Sequence, residues 1–164
     1  GALNDWLTVD DEPALAPDTF LDYRFEADGV VSYLNALLPE LRVDKRVSLT
    51  PAGLQVEYEL RNLADRPRRV RWRLASELAP DYTAALSGGR STLVLDPPAG
   101  GALAVRNTRT GAALALTPSR PWTAYGLAEH LLGLELWAAF EIDLAPLAGE
   151  VITLTLSVTP AAAP

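Results

Sequence analysis

Strict alternation of apolar and polar residues constrains this chain more than any other feature of its sequence. In Leu54-Gln55-Val56-Glu57-Tyr58-Glu59-Leu60-Arg61 the even positions are apolar and the odd ones polar or charged. Val70-Arg71-Trp72-Arg73-Leu74 and Ile152-Thr153-Leu154-Thr155-Leu156-Ser157-Val158 repeat the pattern. Successive side chains on a pleated strand point to opposite faces, so a period of two marks a sheet with one buried side. Further strands are expected at Leu21–Glu26, Val30–Leu34, Leu41–Leu49, Thr92–Leu95, Ala102–Asn107, Ala112–Thr117 and Leu134–Ile142. Turn chemistry separates them, as in Ala27-Asp28-Gly29, Ser87-Gly88-Gly89, Pro97-Pro98-Ala99-Gly100-Gly101 and Thr110-Gly111. Only Ala124–Leu132 is compatible with a turn or two of helix. Short strands at this spacing predict an all-β, antiparallel β-sandwich. The 164 residues amount to one domain, long enough to bury about 70% of the extended surface without staples.

One contact can be placed in register. Glu57, Glu59 and Arg61 leave one strand on its polar side, and Arg69, Arg71 and Arg73 leave the next. With residues 62–68 as the connection, a hairpin sets Glu59 opposite Arg71 and Glu57 opposite Arg73. Tyr58 then meets Trp72 on the buried side, because pairing must keep both apolar sets on one face. Opposite charges across a strand pair contribute about 0.2–1 kcal/mol each. Two readings compete for the arginines between Arg66 and Arg73: an anion site, or charges neutralised by nearby carboxylates. The glutamates across the hairpin favour the second.

Composition removes several classes of function. A net charge of −7 repels phosphate backbones and anionic lipid, so neither nucleic acid nor a membrane is an expected partner. No apolar run approaches the ~18 residues of a membrane helix. The chain has no cysteine, and His130 is its single histidine. Disulfides, thiol nucleophiles, thiolate metal sites and multi-histidine zinc sites are therefore excluded. No phosphate loop, dinucleotide fingerprint or Gly-x-Ser-x-Gly elbow occurs, and no cofactor is expected.

Residues 1–19 differ in character from the rest. Asn4–Thr19 carries Asp5, Asp10, Asp11, Glu12 and Asp18 with two prolines and shows no strand alternation. A calcium loop of the Asp-x-Asp-x-Asp-Gly type is absent, so no metal is expected and the segment reads as a connector from a preceding domain. Gly1, in a chain without methionine, fits a domain cut from a longer protein. Residues 20–159 are then the sandwich and 160–164 a disordered tail. The start has neither a basic n-region nor an apolar h-region, an absence of little weight in a domain cut from a longer protein; the expected location is cytoplasmic.

The stretch Pro121–His130 concentrates the polar-aromatic chemistry. Trp122 and Tyr125 offer flat rings to the C–H faces of sugars, and Glu129 and His130 offer hydrogen bonds to hydroxyls. These four are the candidate carbohydrate-binding residues. Spaced by three, Trp122 and Tyr125 share a side on a turn but face oppositely on a regular strand; the competing reading puts both rings in the core. Glu129 and His130 make an acid–base pair conceivable, but neighbours on a strand point apart. Glycosidase chemistry needs two carboxylates across a sugar. Glu77, at the end of its strand, either looks into a cleft or satisfies loop amides. No residue is assigned a catalytic role.

Three segments together carry a resemblance. Val56, Tyr58, Leu60 and Asn62 match a Val-x-Tyr-x-Leu-x-Asn strand and turn, and Glu77 with Leu78 ends the strand that follows. The closing Leu144-Ala145-Pro146-Leu147-Ala148-Gly149-Glu150-Val151 is similar to a Leu-x-Pro-Gly-Glu turn before a final strand. In these features the chain resembles the C-terminal β-sandwich of alpha-amylase/4-alpha-glucanotransferase enzymes of glycoside hydrolase family 57. The resemblance implies a galactose mutarotase-like supersandwich covering roughly residues 20–159. It also implies that the catalytic carboxylates lie in a barrel upstream, so that this chain is a noncatalytic accessory domain. Its expected partners are that catalytic domain and an oligosaccharide or α-glucan. The rival readings are a stand-alone sugar epimerase or lyase on the same fold, and a ligand-free immunoglobulin-like interaction module.

Overall fold

The computed structural model describes residues 4–15, 22–25, 31–34, 40–51, 53–78, 93–130 and 133–160. Its strands are β1 (Asn4–Val9), β2 (Glu12–Leu15), β3 (Asp22–Phe25), β4 (Val31–Leu34), β5 (Leu41–Thr50), β6 (Gly53–Asn62) and β7 (Arg68–Leu78), followed by β8 (Leu93–Ala99), β9 (Ala102–Asn107), β10 (Ala113–Pro118), β11 (Ala124–His130), β12 (Gly133–Leu144) and β13 (Gly149–Thr159). A five-stranded sheet runs in the order β11-β12-β7-β1-β2, and an eight-stranded sheet in the order β3-β4-β5-β6-β13-β10-β9-β8. All their pairings are antiparallel, and no helix occurs among the described residues. The all-β antiparallel sandwich expected from the alternation is the architecture found. The apolar sets of β6, β7, β12 and β13 meet between the sheets in a single buried cluster that includes Val56, Tyr58, Trp72, Leu74, Phe140 and Ile152.

The expected hairpin does not form. β6 pairs with β5 and β13 in the large sheet, whereas β7 pairs with β1 and β12 in the small one. Tyr58 and Trp72 still meet, but across the sandwich, edge to face with ring centroids 4.1 Å apart. Alternation determines which side of a strand is buried; it does not choose between a neighbour in the same sheet and one in the facing sheet. The arginines are neutralised as expected, but by other carboxylates. Arg69 and Arg71 bind Glu141, Arg71 also binds Asp11, Arg73 binds Glu135, and Arg66 and Arg68 reach Glu40.

Asn62 explains why the chain crosses between sheets at this point. Its buried amide donates to the carbonyls of Arg66 (2.8 Å) and Ala145 (2.9 Å) and accepts from the Ala64 N–H (3.0 Å). Ala145 lies in the turn from β12 to β13, which is also a crossing from the small sheet to the large one. One side chain therefore ties two crossovers together at the same end of the sandwich. The Leu147 N–H, bonded to the Ala64 carbonyl at 3.1 Å, reinforces the link.

The N-terminal segment is a second correction. Residues expected to form a strandless connector instead form β1 and β2, and β1 lies inside the small sheet between β7 and β2. Its buried side is Asp5 and Leu7, so a charged residue at a core position hid the alternation. Asp5 is buried because it is fully engaged: it accepts from Tyr58 Oη (2.9 Å), Trp72 Nε1 (3.0 Å) and Lys45 Nζ (2.7 Å). Asp10 and Asp11, at φ 51° and 70°, make the two-residue turn to β2, a conformation that aspartate tolerates better than most residues. Residues 16–21 and 161–164, including most of the expected tail, lie outside the described part.

Ala124–Leu132 is the third correction. Through His130 it is strand β11, paired along its length with β12. Small residues at alternate positions (Ala124, Gly126, Ala128) give this strand too little hydrophobic contrast to show its period.

Burial, then the neighbouring Asp5 charge and the bond to that carboxylate, pushes the Tyr58 phenol well above its ordinary value. A raised folded-state pKa favours the protonated form. The resulting stabilisation is complete below the usual tyrosine range near about 10 and is lost as pH rises through the folded pKa. In an alkaline absorbance titration Tyr58 is expected to ionise only as the protein unfolds. Tyr58→Phe should remove that coupling; an unchanged alkaline unfolding curve would contradict it.

Candidate functional site

Of the four residues expected to bind carbohydrate, the structure describes the side chains of Trp122 and Tyr125. Trp122 precedes β11 and turns inward: its ring packs on Phe140 with centroids 4.6 Å apart, and its Nε1–H donates to the Gly101 carbonyl at 2.9 Å. Tyr125 pairs with buried Ala138 and so leaves β11 on the core-facing side. At the edge of the sheet it remains 41% exposed. Glu129 and His130 close β11 opposite Leu134 and Gly133; their side chains lie outside the described part.

A different group converges on the outer face of the small sheet. Trp6, Arg73, Ala139 and Ala124 form one row across β1, β7, β12 and β11, and Asn4, Ala75, Trp137 and Gly126 form the next. The Arg73 guanidinium lies 4.9 Å from the Trp6 ring centroid and 5.5 Å from that of Trp137. Contacts of this kind contribute about 0.5–2 kcal/mol, more as water is excluded. Arg73 also binds the Glu135 carboxylate, which is mostly covered. Around Trp137 the face is built of small residues, and the indole comes so close to Gly126 that a Cβ there would stand 2.9 Å from its Nε1. Both indoles are partly exposed.

Sequence reasoning missed this group because Trp6 fell in the supposed connector and Arg73 was given a hairpin partner. A usable signal existed. Trp137 is out of phase with the buried Leu134, Leu136, Ala138 and Phe140, and a tryptophan on the polar side of an alternating strand calls for an explanation.

The other cleft of note, about 370 Å³, opens between the β1–β2 turn and the start of β5 beside Arg66, Arg68, Asp10 and Glu40. Its charges are engaged with one another. The backbone N–H of Arg69, followed by the Arg68 side chain, holds the Asp10 carboxyl below its ordinary value. On the outer face Arg69 does the same to Glu141. Both shifts favour the carboxylate, the reverse of what a general acid needs. Glu77 lies exposed on the outer face, opposite Glu135 in register. No cluster able to hold a metal occurs among the described residues.

No family model and no curated protein matches the sequence; solved structures do match the fold. A galactose mutarotase-like protein from Lactobacillus casei ATCC 334 is 11% identical, with a TM-score of 0.63 over 97% of this chain and 82% of its own. A 4-alpha-glucanotransferase from Thermococcus litoralis is 12% identical, with a TM-score of 0.59 over 96% of this chain and 27% of its own. A polysaccharide lyase is 15% identical, with a TM-score of 0.66 over 99% of this chain and 26% of its own. The fold is that of the galactose mutarotase-like β-sandwiches. This chain spans about a quarter of the length of the glucanotransferase and of the lyase.

Proposed function

We propose that the chain is a noncatalytic accessory sandwich of a carbohydrate-active protein, specifically of an α-glucan-active enzyme of glycoside hydrolase family 57. In this reading it buttresses a catalytic domain in the cytoplasm and contacts the glucan. The observation that carries the proposal is the match of nearly the whole chain to about a quarter of a 4-alpha-glucanotransferase. Ionised, arginine-bound carboxylates such as Glu141 support a role without acid–base chemistry. The purified chain is expected to give no turnover of maltooligosaccharide and no acceleration of aldose mutarotation. Steady turnover of either, abolished by His130→Ala or Glu129→Gln, would overturn the reading.

A second reading, a stand-alone epimerase, is favoured by one observation. The match to the mutarotase-like protein from Lactobacillus casei extends over 82% of that protein's length. The mutarotation assay separates the two readings directly.

A further inference from the structure

We infer that the outer face of the small sheet, centred on Trp6, Arg73 and Trp137, is a binding site for a neutral oligosaccharide. This assignment rests on the carbohydrate reading above and names the surface that would serve it.

Three observations identify the chemistry of the occupant. First, two partly exposed indoles stand on separate strands, β1 and β12, on either side of one guanidinium. Ring C–H faces of pyranoses are apolar and stack on such surfaces, while hydroxyls at the ring edges need planar hydrogen-bonding partners. Arg73 donates and Glu135 accepts at the same place. Second, the face beside Trp137 is low, because Ala124, Gly126, Ala128 and Ala139 carry at most a methyl group on the outward side of β11 and β12. At these described positions no side chain larger than a methyl group stands between a rigid ring and the indole. Third, the arginines of this face, Arg69, Arg71 and Arg73, already hold carboxylates, in a chain of net charge −7. An anionic polymer gains little from such a surface, whereas an uncharged polyhydroxylated ligand loses nothing.

Gly126 is the positioning element. Alanine at this site would put a Cβ within 3.0 Å of the Trp137 Cε2 and Cζ2 atoms, so the indole would have to lift from the sheet. The glycine thus sets where the stacking surface lies, without touching ligand itself.

The test is a titration of the full chain with maltoheptaose, cellohexaose and an oligogalacturonate, followed by tryptophan fluorescence and calorimetry. A neutral oligosaccharide is expected to bind weakly, with an affinity little changed between low and high salt. Trp137→Ala and Trp6→Ala should each weaken binding on the order of tenfold, and Gly126→Ala should weaken it with both indoles still present. Thermal unfolding of each variant reports whether it remains folded; Trp137→Phe, which keeps a smaller ring, serves if Trp137→Ala does not, and should weaken binding less. Saturable binding left unchanged by the Trp6, Trp137 and Gly126 variants, or lost in Tyr125→Ala instead, would overturn the site and leave the carbohydrate reading intact. Failure of every neutral probe to bind the parent chain would remove the glucan contact as well. Preferential, salt-sensitive binding of the oligogalacturonate would refute the neutral class. Concentration-dependent self-association abolished by Trp137→Ala would instead mark a protein interface.

Discussion

Asp5→Ala is expected to destabilise the protein by about 3–5 kcal/mol, the range typical of removing one partner from a buried charge pair. Three donors lose their acceptor at once: the Lys45 ammonium, the Tyr58 hydroxyl and the Trp72 indole N–H. Lys45 is 8% exposed, so water cannot readily replace the lost carboxylate. Typical domains are stable by only about 5–15 kcal/mol, and the variant should therefore populate unfolded chain under mild denaturant. Asp5→Asn should be milder, because an amide oxygen still accepts from Tyr58 and Trp72 while the charge facing Lys45 is gone. Pairing Asp5→Leu with Lys45→Met should recover part of the loss, since the ammonium that faced the carboxylate is removed with it. Denaturant unfolding of the four proteins measures this. An Asp5→Ala variant within about 1 kcal/mol of the parent, which is no more than an exposed ion pair contributes, would show that the cluster is not a buried tether between sheets.

Asn62→Ala should cost about 2–4 kcal/mol, from backbone groups left without a partner, at roughly 1–3 kcal/mol for the buried one and less for the two part-buried ones. The Ala64 N–H and the carbonyls of Arg66 and Ala145 are those groups. The effect should be local as well as global. Amide hydrogen exchange is expected to quicken at Ala64 and Leu147 together, although they are far apart in sequence, because one side chain holds both crossovers. Exchange that quickened only around Ala64 would refute the shared anchor.

Much of the architecture was legible from period-two patterns, because a half-buried strand writes its burial into its sequence. What those patterns lacked was information about partners. Tyr58 and Trp72 were correctly placed on buried sides and in mutual contact, yet their strands were assigned to one sheet when they belong to two. β1 was missed because its core residue Asp5 is charged, and its partners come from β5, β6 and β7, none of them adjacent in the chain. β11 was missed because alanine and glycine hide the period. The same small residues make the outer face low around Trp137, so the feature that obscured the strand also shapes the candidate site. Trp122 was singled out for its polar-aromatic neighbourhood, but a ring beside a strand edge can turn inward, and only Phe140 and the Gly101 carbonyl reveal that it does.

The position of β13 in the large sheet bears on how the molecule folds. It lies between β6 and β10, so the block β3-β4-β5-β6 and the block β10-β9-β8 have no edge in common without it. Its pairing with β6 joins Arg61 to Gly149 and Tyr58 to Ile152, and β7 meets β12 over comparable separations. Contacts so distant along the chain require large loops to close before burial rewards them, which places refolding among the slow β topologies, on a scale of roughly milliseconds to seconds. On the ribosome the two halves of the large sheet would wait, with β6 and β10 as uncovered edges, until residues 149–159 emerge to join them.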